Sequence, residues 1–99
     1  MVRKIEWTYE GRKSKLEILE YWTRRNKSNI YSRKLNKHFN DALNTIIKFP
    51  ELGRPTENDD IKYILVSDFN IFYRSFPSSI HVLLIWDSRR NPNSLKYRK

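Results

Sequence analysis

The feature that most constrains the fold is a short, almost wholly apolar run near the C-terminal end of the sequence. Residues 80–86 read IHVLLIW, and a turn-forming Pro-Ser-Ser precedes them. A run of this length that is rich in β-branched residues and bounded by turn residues indicates a strand covered on both faces. We therefore predict that residues 80–86 form a central strand of a sheet.

Two further runs supply neighbours for this strand. Residues 61–66 and 69–76 are also rich in β-branched and aromatic residues. The connections are short (residues 67–68 and 77–79), so the three strands are expected to pair as an antiparallel meander. Near the N-terminus, residues 5–7 alternate between apolar and polar side chains and predict a first strand.

A first amphipathic helix is predicted after the N-terminal strand. Thr8 is a plausible N-cap, and the helix should end near Arg25 and Asn26. Apolar residues recur along it at helical spacing, at Leu16, Leu19 and Trp22, with Ile18 and Tyr21 alongside.

A second amphipathic helix follows after only a few residues. Ser28 or Asn29 can cap its start, and Pro50 and Gly53 end it. The short connection predicts an antiparallel helical hairpin, and residues 50–60 are predicted to form a polar loop. The apolar face of the second helix has a period close to 3.6 and comprises Tyr31, Leu35, Phe39, Ala42, Ile46 and Phe49.

The order of elements, β-α-α-β-β-β, predicts an α+β fold with a helical hairpin packed on one face of a small antiparallel sheet. The opposite face is expected to be partly open, so that a ligand could lie there. A length of 99 residues suits a single domain over residues 1–99.

Composition excludes several kinds of chemistry. The sequence contains no cysteine, and its two histidines, His38 and His81, have no metal-ligand spacing. We therefore expect no disulfide, no metal and no cofactor. A membrane span is not predicted, because no apolar run is long enough. The N-terminus lacks the apolar stretch of a signal peptide, so a cytoplasmic location is expected.

The charge of the chain points to an anionic partner. Its 20 Lys and Arg against 11 Asp and Glu give a net charge of +9, which favours RNA, DNA, the ribosome or an acidic protein as partner. A merely solvated surface is the alternative. Two clusters contain no acid: Arg24, Arg25, Lys27, Arg33, Lys34 and Lys37, and then Arg89, Arg90, Lys96, Arg98 and Lys99.

Three local patterns, in this order, resemble the RelE/ParE toxin superfamily. Residues 50–54 (PELGR) are similar to its Pro-x-x-Gly-(Arg) loop after the second helix. Residues 70–74 (NIFYR) are similar to its (Arg)-hydrophobic-hydrophobic-Tyr strand, and residues 85–92 (IWDSRRNP) to the Arg-rich turn after its last strand. The resemblance spans nearly the whole chain and includes the order of elements.

The resemblance implies the toxin of a type II toxin–antitoxin system, held inactive by an acidic antitoxin. Relatives either cut messenger RNA on the ribosome, as metal-independent endoribonucleases, or poison DNA gyrase, as the ParE branch does. The first activity is our leading hypothesis, and the gyrase-inhibiting toxin and a plain nucleic-acid-binding module remain alternatives. The module would bind through the first basic cluster, within residues 24–37, and Lys96 and Arg98 are further candidates for nucleic-acid binding.

RNA cleavage through the 2′-hydroxyl needs a base, an acid and cations that stabilise the phosphorane. The resemblance implies Arg89 and Arg90 as cations after the last strand and Lys62 on the second strand. It also implies Tyr97 in the tail as a stacking ring, and Arg74 is a further candidate for a phosphate contact.

Two departures weaken that site. Asn70 stands where RNA-cleaving relatives carry an arginine, and no histidine follows the last strand. His38 and His81 are interpreted as structural or solvent-facing residues. Asp87 is the only carboxylate near the arginine pair, and we expect it to pair with one of them.

Overall fold

The computed structural model of the chain describes residues 3–90, 94, 95 and 97, and over these residues it has two α-helices and five strands. The predicted element order is confirmed, with one short strand added. The elements are β1 (Lys4–Trp7), α1 (Tyr9–Asn26), α2 (Ile30–Lys48), a 3-10 turn (Pro50–Leu52), β2 (Arg54–Pro55), β3 (Ile61–Val66), β4 (Phe69–Ser75) and β5 (Ser79–Asp87).

The sheet is mixed, with strand order β1-β5-β4-β3-β2. The predicted antiparallel meander is β3-β4-β5, and β5 has a neighbour on each side, as a central strand requires. The prediction of a wholly antiparallel sheet is wrong, because β1 pairs with β5 in parallel. Two helices and three strands separate β1 from β5 in the chain, which is far longer than the connection that a parallel neighbour needs. Strand β2 falls within the predicted loop.

Helix α2 supplies most of the helical side of the core. Leu35, Phe39, Leu43 and Ile46 are each at most 2% exposed, and the first three pack against β4 and β5. The predicted face included Phe49, which follows the helix and is 56% exposed.

Helix α1 contacts the sheet closely at its N-terminal end. The Thr8 hydroxyl accepts a hydrogen bond from the Gly11 amide at 3.0 Å, so the predicted N-cap is confirmed, and it donates to the Val82 carbonyl at 3.0 Å. A Cβ at Gly11 would lie 2.2 Å from the same carbonyl oxygen, so only glycine fits there. Leu16, predicted on the apolar stripe, is 50% exposed.

The buried hydroxyl of Tyr73 connects two of the motifs noted in the sequence, residues 70–74 on β4 and residues 50–54 after α2. It donates to the Pro50 carbonyl at 2.7 Å and accepts from the Gly53 amide at 3.0 Å. Burial raises the pKa of Tyr73, which keeps the hydroxyl able to donate. Gly53 has no room for a side chain, because a Cβ there would meet the Tyr73 hydroxyl at 2.2 Å. Both motifs therefore hold the end of α2 against the sheet.

The sheet face opposite the helices carries a smaller apolar cluster. Ile61, Phe72 and Trp86 form its buried part, and Leu95 and Tyr97 pack against it. The expectation of a partly open face is therefore corrected in one respect, because C-terminal residues occupy part of that face. A ligand lying there would have to share it with these side chains.

Candidate functional site

The turn after β5 is organised by Asp87. Its Oδ1 accepts from the Arg89 amide and from Arg89 Nε, both at 2.9 Å, and its Oδ2 accepts from Arg89 Nη2 at 2.8 Å. The predicted pairing of Asp87 with one of the two arginines holds for Arg89. A second carboxylate, that of Asp68, lies 3.8 Å from Arg89 Nη1.

This fork changes the chemistry available at both residues. The hydrogen bonds from Arg89 lower the pKa of Asp87, against the opposing effect of its partial burial. The same contact raises the pKa of Arg89. A carboxylate with a lowered pKa is a weak base, and a guanidinium that already holds a carboxylate in a fork has fewer donors for a phosphate.

Arg90 is arranged differently from Arg89. Its guanidinium lies over the Trp86 ring at 4.5 Å from the centroid. Among the described residues no carboxylate lies within ion-pair distance of it. Arg90 is exposed and keeps its hydrogen-bonding capacity for a partner.

A groove lies between the C-terminal half of α1 and the end of β5, and we call it the α1–β5 groove. Its volume is about 670 Å³. Its apolar lining comprises Ile18, Trp22, Phe69 and Ile85, and its basic rim comprises Arg24, Arg25, Arg89 and Arg90. The structure thus brings the first two residues of each basic cluster to one groove, which the sequence could not show.

Trp22 lines the groove and contacts both aromatic and cationic side chains. The rings of Tyr21 and Tyr31 meet it edge to face, with centroids 5.2 and 5.1 Å away. The guanidinium carbons of Arg25 and Arg89 lie 5.5 and 5.8 Å from its ring centroid. The helical spacing of the sequence predicts Trp22 on the core face, and its partly buried ring does pack against the core cluster. Residues 16–22 of α1 contain five large apolar side chains, which is more than one buried stripe needs. This excess was the indication in the sequence that α1 has a second apolar surface besides the one that faces the core.

The two basic candidates on β3 and β4, Lys62 and Arg74, line one cavity of about 390 Å³ together with Asp59 and Asp60, and that cavity shares no lining residue with the α1–β5 groove. Lys62 is opposite Tyr73 in the register, and Arg74 is opposite Ile61 and His81. Because paired residues share a face and neighbours alternate, Lys62 belongs to the helix side of the sheet and Arg74 to the other side. The buried Nε of Arg74 has no hydrogen-bond partner.

Two further positions argue against a preformed nuclease site. The ring of Tyr97 lies 5.4 Å from that of Phe72, so it packs on the sheet. Asn70 is 1% exposed and its amide N and O have no hydrogen-bond partner. A buried neutral amide cannot replace the charge that an arginine would bring.

The remaining basic candidates lie apart from the groove. Lys27, Arg33 and Lys34 are exposed on the helical hairpin, and Lys37 pairs with Asp41 at 2.9 Å. Lys96 and Arg98, also proposed from the sequence, lie outside the described residues.

Neither histidine is near Arg89 and Arg90 in the sequence, and the contacts of His81 are with Glu6 and Phe76. His81 Nε2 lies 2.7 Å from a Glu6 carboxylate oxygen and its ring lies 4.4 Å from that of Phe76, while His38 is exposed. Over residues 3–90, 94, 95 and 97, no cluster of three or more metal-ligating side chains is found. Neither helix in this part of the chain is long and apolar enough to cross a membrane.

The fold is similar to that of a solved chain from the chromosomal ParDE TA system of P. aeruginosa. The TM-score is 0.74, the alignment covers 87% of this chain and 96% of that chain, and 14% of the residues are identical. The predicted RelE/ParE-like fold is thereby confirmed, and at this identity the likeness concerns the fold. No protein-family model and no curated protein matches the sequence.

Proposed function

We propose that this chain is the toxin of a type II toxin–antitoxin system and that it arrests growth by binding DNA gyrase, without cleaving RNA. The fold shared with a chain of a ParDE toxin–antitoxin system supports the toxin assignment. An acidic antitoxin is then the partner that a net charge of +9 favours.

One observation carries the choice of mechanism: the residues proposed for RNA cleavage do not converge. Arg89 is held by Asp87, Tyr97 packs on Phe72, and Lys62 and Arg74 line a cavity that shares no residue with the groove of Arg89 and Arg90. General acid–base catalysis needs its groups within hydrogen-bond reach of one substrate. A toxin that acts by binding needs only an accessible surface.

Induction of the chain alone in a bacterial host should therefore stop growth. Purified protein should inhibit supercoiling by DNA gyrase, and mapping of mRNA ends after induction should reveal no new cuts within ribosome-bound messages. Arg33→Ala/Lys34→Ala, which removes two exposed charges from the hairpin, is the control for non-specific effects of charge.

Two results would overturn this proposal. New cuts in ribosome-bound mRNA that vanish in Arg89→Ala/Arg90→Ala would establish the mRNA endonuclease instead. Normal growth in the presence of abundant folded protein would exclude the toxin and favour the nucleic-acid-binding module. Asn70→Arg is a poor probe of cleavage, because it would place a guanidinium at a position that is 1% exposed.

A further inference from the structure

A cavity of about 390 Å³ lies where β3 begins and β4 ends, and we call it the strand-end cavity. Its lining comprises Asp59, Asp60, Lys62, Arg74, Ser75 and Phe76. Among the residues that the structure describes, none of the four charged lining residues has an oppositely charged group within 4.0 Å. Two cations and two carboxylates therefore line one space without forming an ion pair.

Arg74 is the lining residue that most clearly lacks a partner. Its Nε atom is buried, and no described residue forms a hydrogen bond with it. Its neighbours across the sheet are Ile61, which is apolar, and His81, whose Nε2 lies 2.7 Å from a Glu6 oxygen. A buried donor without an acceptor is costly, so a ligand oxygen at this place would be bound favourably. Because a guanidinium can donate two parallel hydrogen bonds, a planar carboxylate fits Arg74 best, and Lys62 supplies a second cation.

The two carboxylates decide what else the ligand must carry. Asp59 and Asp60 belong to the loop before β3. In this loop the Asp60 amide donates to Asn58 Oδ1 at 3.0 Å, and the Thr56 hydroxyl donates to the Asn58 carbonyl at 2.8 Å, so the backbone that carries both acids is held in place. A simple anion at Arg74 would be repelled by these acids. A ligand with a cationic group beside its carboxylate is attracted at both places, because the four lining charges sum to zero.

We propose that the strand-end cavity binds a free α-amino acid, with its carboxylate at Arg74 and Lys62 and its α-ammonium group at Asp59 and Asp60. Among the described lining residues Phe76 is the only large apolar one, and at 37% exposure it offers the side chain of the amino acid an apolar contact. The cavity is separate from the α1–β5 groove, so this inference goes beyond the proposed function and does not depend on it.

Three other kinds of ligand fit the lining charges less well. A phosphate ester or a nucleic-acid backbone brings only negative charge and would be repelled by both aspartates. A metal ion would be repelled by Lys62 and Arg74, and no group of three or more metal-ligating side chains occurs among the described residues. A purely apolar ligand would leave all four charges unmatched. The volume of the cavity also suits a small molecule, since it lies near the lower end of the range for ligand cavities, roughly 300–1,000 Å³.

The test uses the full chain, isotope-labelled for NMR, and L-leucine as the probe. Saturable shifts are expected at the amides of residues 59–62 and 74–76, with a dissociation constant on the order of one millimolar for so small a ligand. Two matched compounds separate the charges of the probe. N-acetyl-L-leucine keeps the carboxylate but has no ammonium group, whereas L-leucinamide keeps the ammonium group but has no carboxylate. Each should bind about tenfold more weakly than L-leucine, since each loses one charge-assisted contact.

Substitution of the two cations should reproduce the loss of the carboxylate contact. Arg74→Gln should weaken L-leucine binding about tenfold. Lys62→Gln should weaken it by a smaller factor, and it keeps the test decisive if Arg74→Gln does not fold, because the Nε of Arg74 is buried. Thermal unfolding of each variant distinguishes lost binding from lost folding.

Substitution of the two acids should act in opposite directions on two of the compounds. Asp59→Asn/Asp60→Asn should weaken the binding of L-leucine but strengthen that of N-acetyl-L-leucine, because the repulsion of its carboxylate is removed. The matched control is Glu51→Gln/Glu57→Gln, which removes the same charge from exposed positions outside the cavity. It should change either affinity by less than about twofold, since only long-range charge is altered.

Several outcomes would overturn the amino-acid site. They are the absence of saturable shifts at tens of millimolar L-leucine, equal binding of N-acetyl-L-leucine, and unchanged binding of L-leucine in Asp59→Asn/Asp60→Asn. Inorganic phosphate or acetate that binds as tightly as L-leucine would show a site for anions only. Inhibition of DNA gyrase is measured separately, and its absence would overturn the proposed function but not this inference.

Discussion

The two helices have similar lengths but opposite relations to the core. Five residues of α2 are buried, and they include Leu35, Phe39, Leu43 and Ile46. In α1 only Gly11 is buried, although this helix is also rich in apolar residues. Helix α2 therefore closes the core, whereas α1 keeps much of its apolar surface accessible.

This difference indicates that α2 contributes mainly to the stability of the fold, whereas α1 also offers a surface for binding. Apolar residues of α1 such as Ile18 and Trp22 reach both the core cluster and the α1–β5 groove. They help to bury the end of β5 and still have surface for a partner. Substitutions in α2 should therefore act on folding, and substitutions along α1 should act mainly on partner binding.

The largest expected effect is that of Phe39→Ala in α2. Phe39 is fully buried and meets Phe69 edge to face at 5.6 Å between ring centroids. Its truncation should reduce the free energy of unfolding by about 3–5 kcal/mol, a large share of the stability of a small domain. Urea denaturation would measure this loss. Leu16→Ala in α1 should stay within about 0.5 kcal/mol of the native protein, and an equal loss would contradict the comparison.

The next effect is that of Tyr73→Phe, which releases the segment after α2. It leaves the carbonyl of Pro50 and the amide of Gly53 without their partner in a buried place. We expect a loss of about 1–3 kcal/mol in the free energy of unfolding. Tyr9→Phe, at a position that is 79% exposed, is the control. Growth arrest should persist in Tyr73→Phe at a temperature where the variant is folded, because Tyr73 lies outside the groove.

A smaller effect on stability is expected from the N-cap residues of the two helices, which differ in their hydrogen bonds. Thr8 caps α1 with a side-chain hydrogen bond, whereas Asn29 makes none at the start of α2. Thr8→Ala should cost about 1 kcal/mol, and more if the bond to the Val82 carbonyl also contributes. Asn29→Ala should change thermal stability much less. Equal costs would mean that the Asn29 side chain caps α2 in solution.

Most of the fold could be predicted because the periodicity of the sequence is strong. The helices and the meander follow from local patterns such as residues 80–86, whose apolar run does form the central strand. The parallel pairing of β1 could not be predicted, because three alternating residues do not specify a partner strand. Strand β2 has only two residues and depends on its neighbour β3.

The candidate site was less predictable because it depends on register and long-range packing. Whether Lys62 and Arg74 share a face is decided by a shift of one residue in strand pairing. The contact between Tyr97 and Phe72 joins the tail to the middle of the sheet, and no local pattern encodes it. The pairing of Asp87 with Arg89 was predictable, because the two residues are separated by one position in a turn.

The smallest effect concerns the pair of Asp87 and Arg89, and it tests whether their ion pair fixes the rim of the groove. The pKa of Asp87 is lowered in the folded protein, so its ionised form stabilises the fold at pH values above its unfolded pKa of about 4. This contribution is lost as the pH falls through the lower folded value, because the native carboxylate then becomes protonated. Arg89 is about half exposed, so we expect at most about 1 kcal/mol at neutral pH, and less in high salt. Asp87→Asn should therefore be slightly less stable than the native protein from pH 5 to 8, and the difference should shrink below about pH 4. Asp68→Asn, whose carboxylate lies 3.8 Å from Arg89, should leave the pH profile nearly unchanged. The difference in stability between Asp87→Asn and the native protein could instead persist at low pH. Asp87 would then act through hydrogen bonds that do not need its charge, and the geometry of the turn would fix the rim of the groove in place of the ion pair.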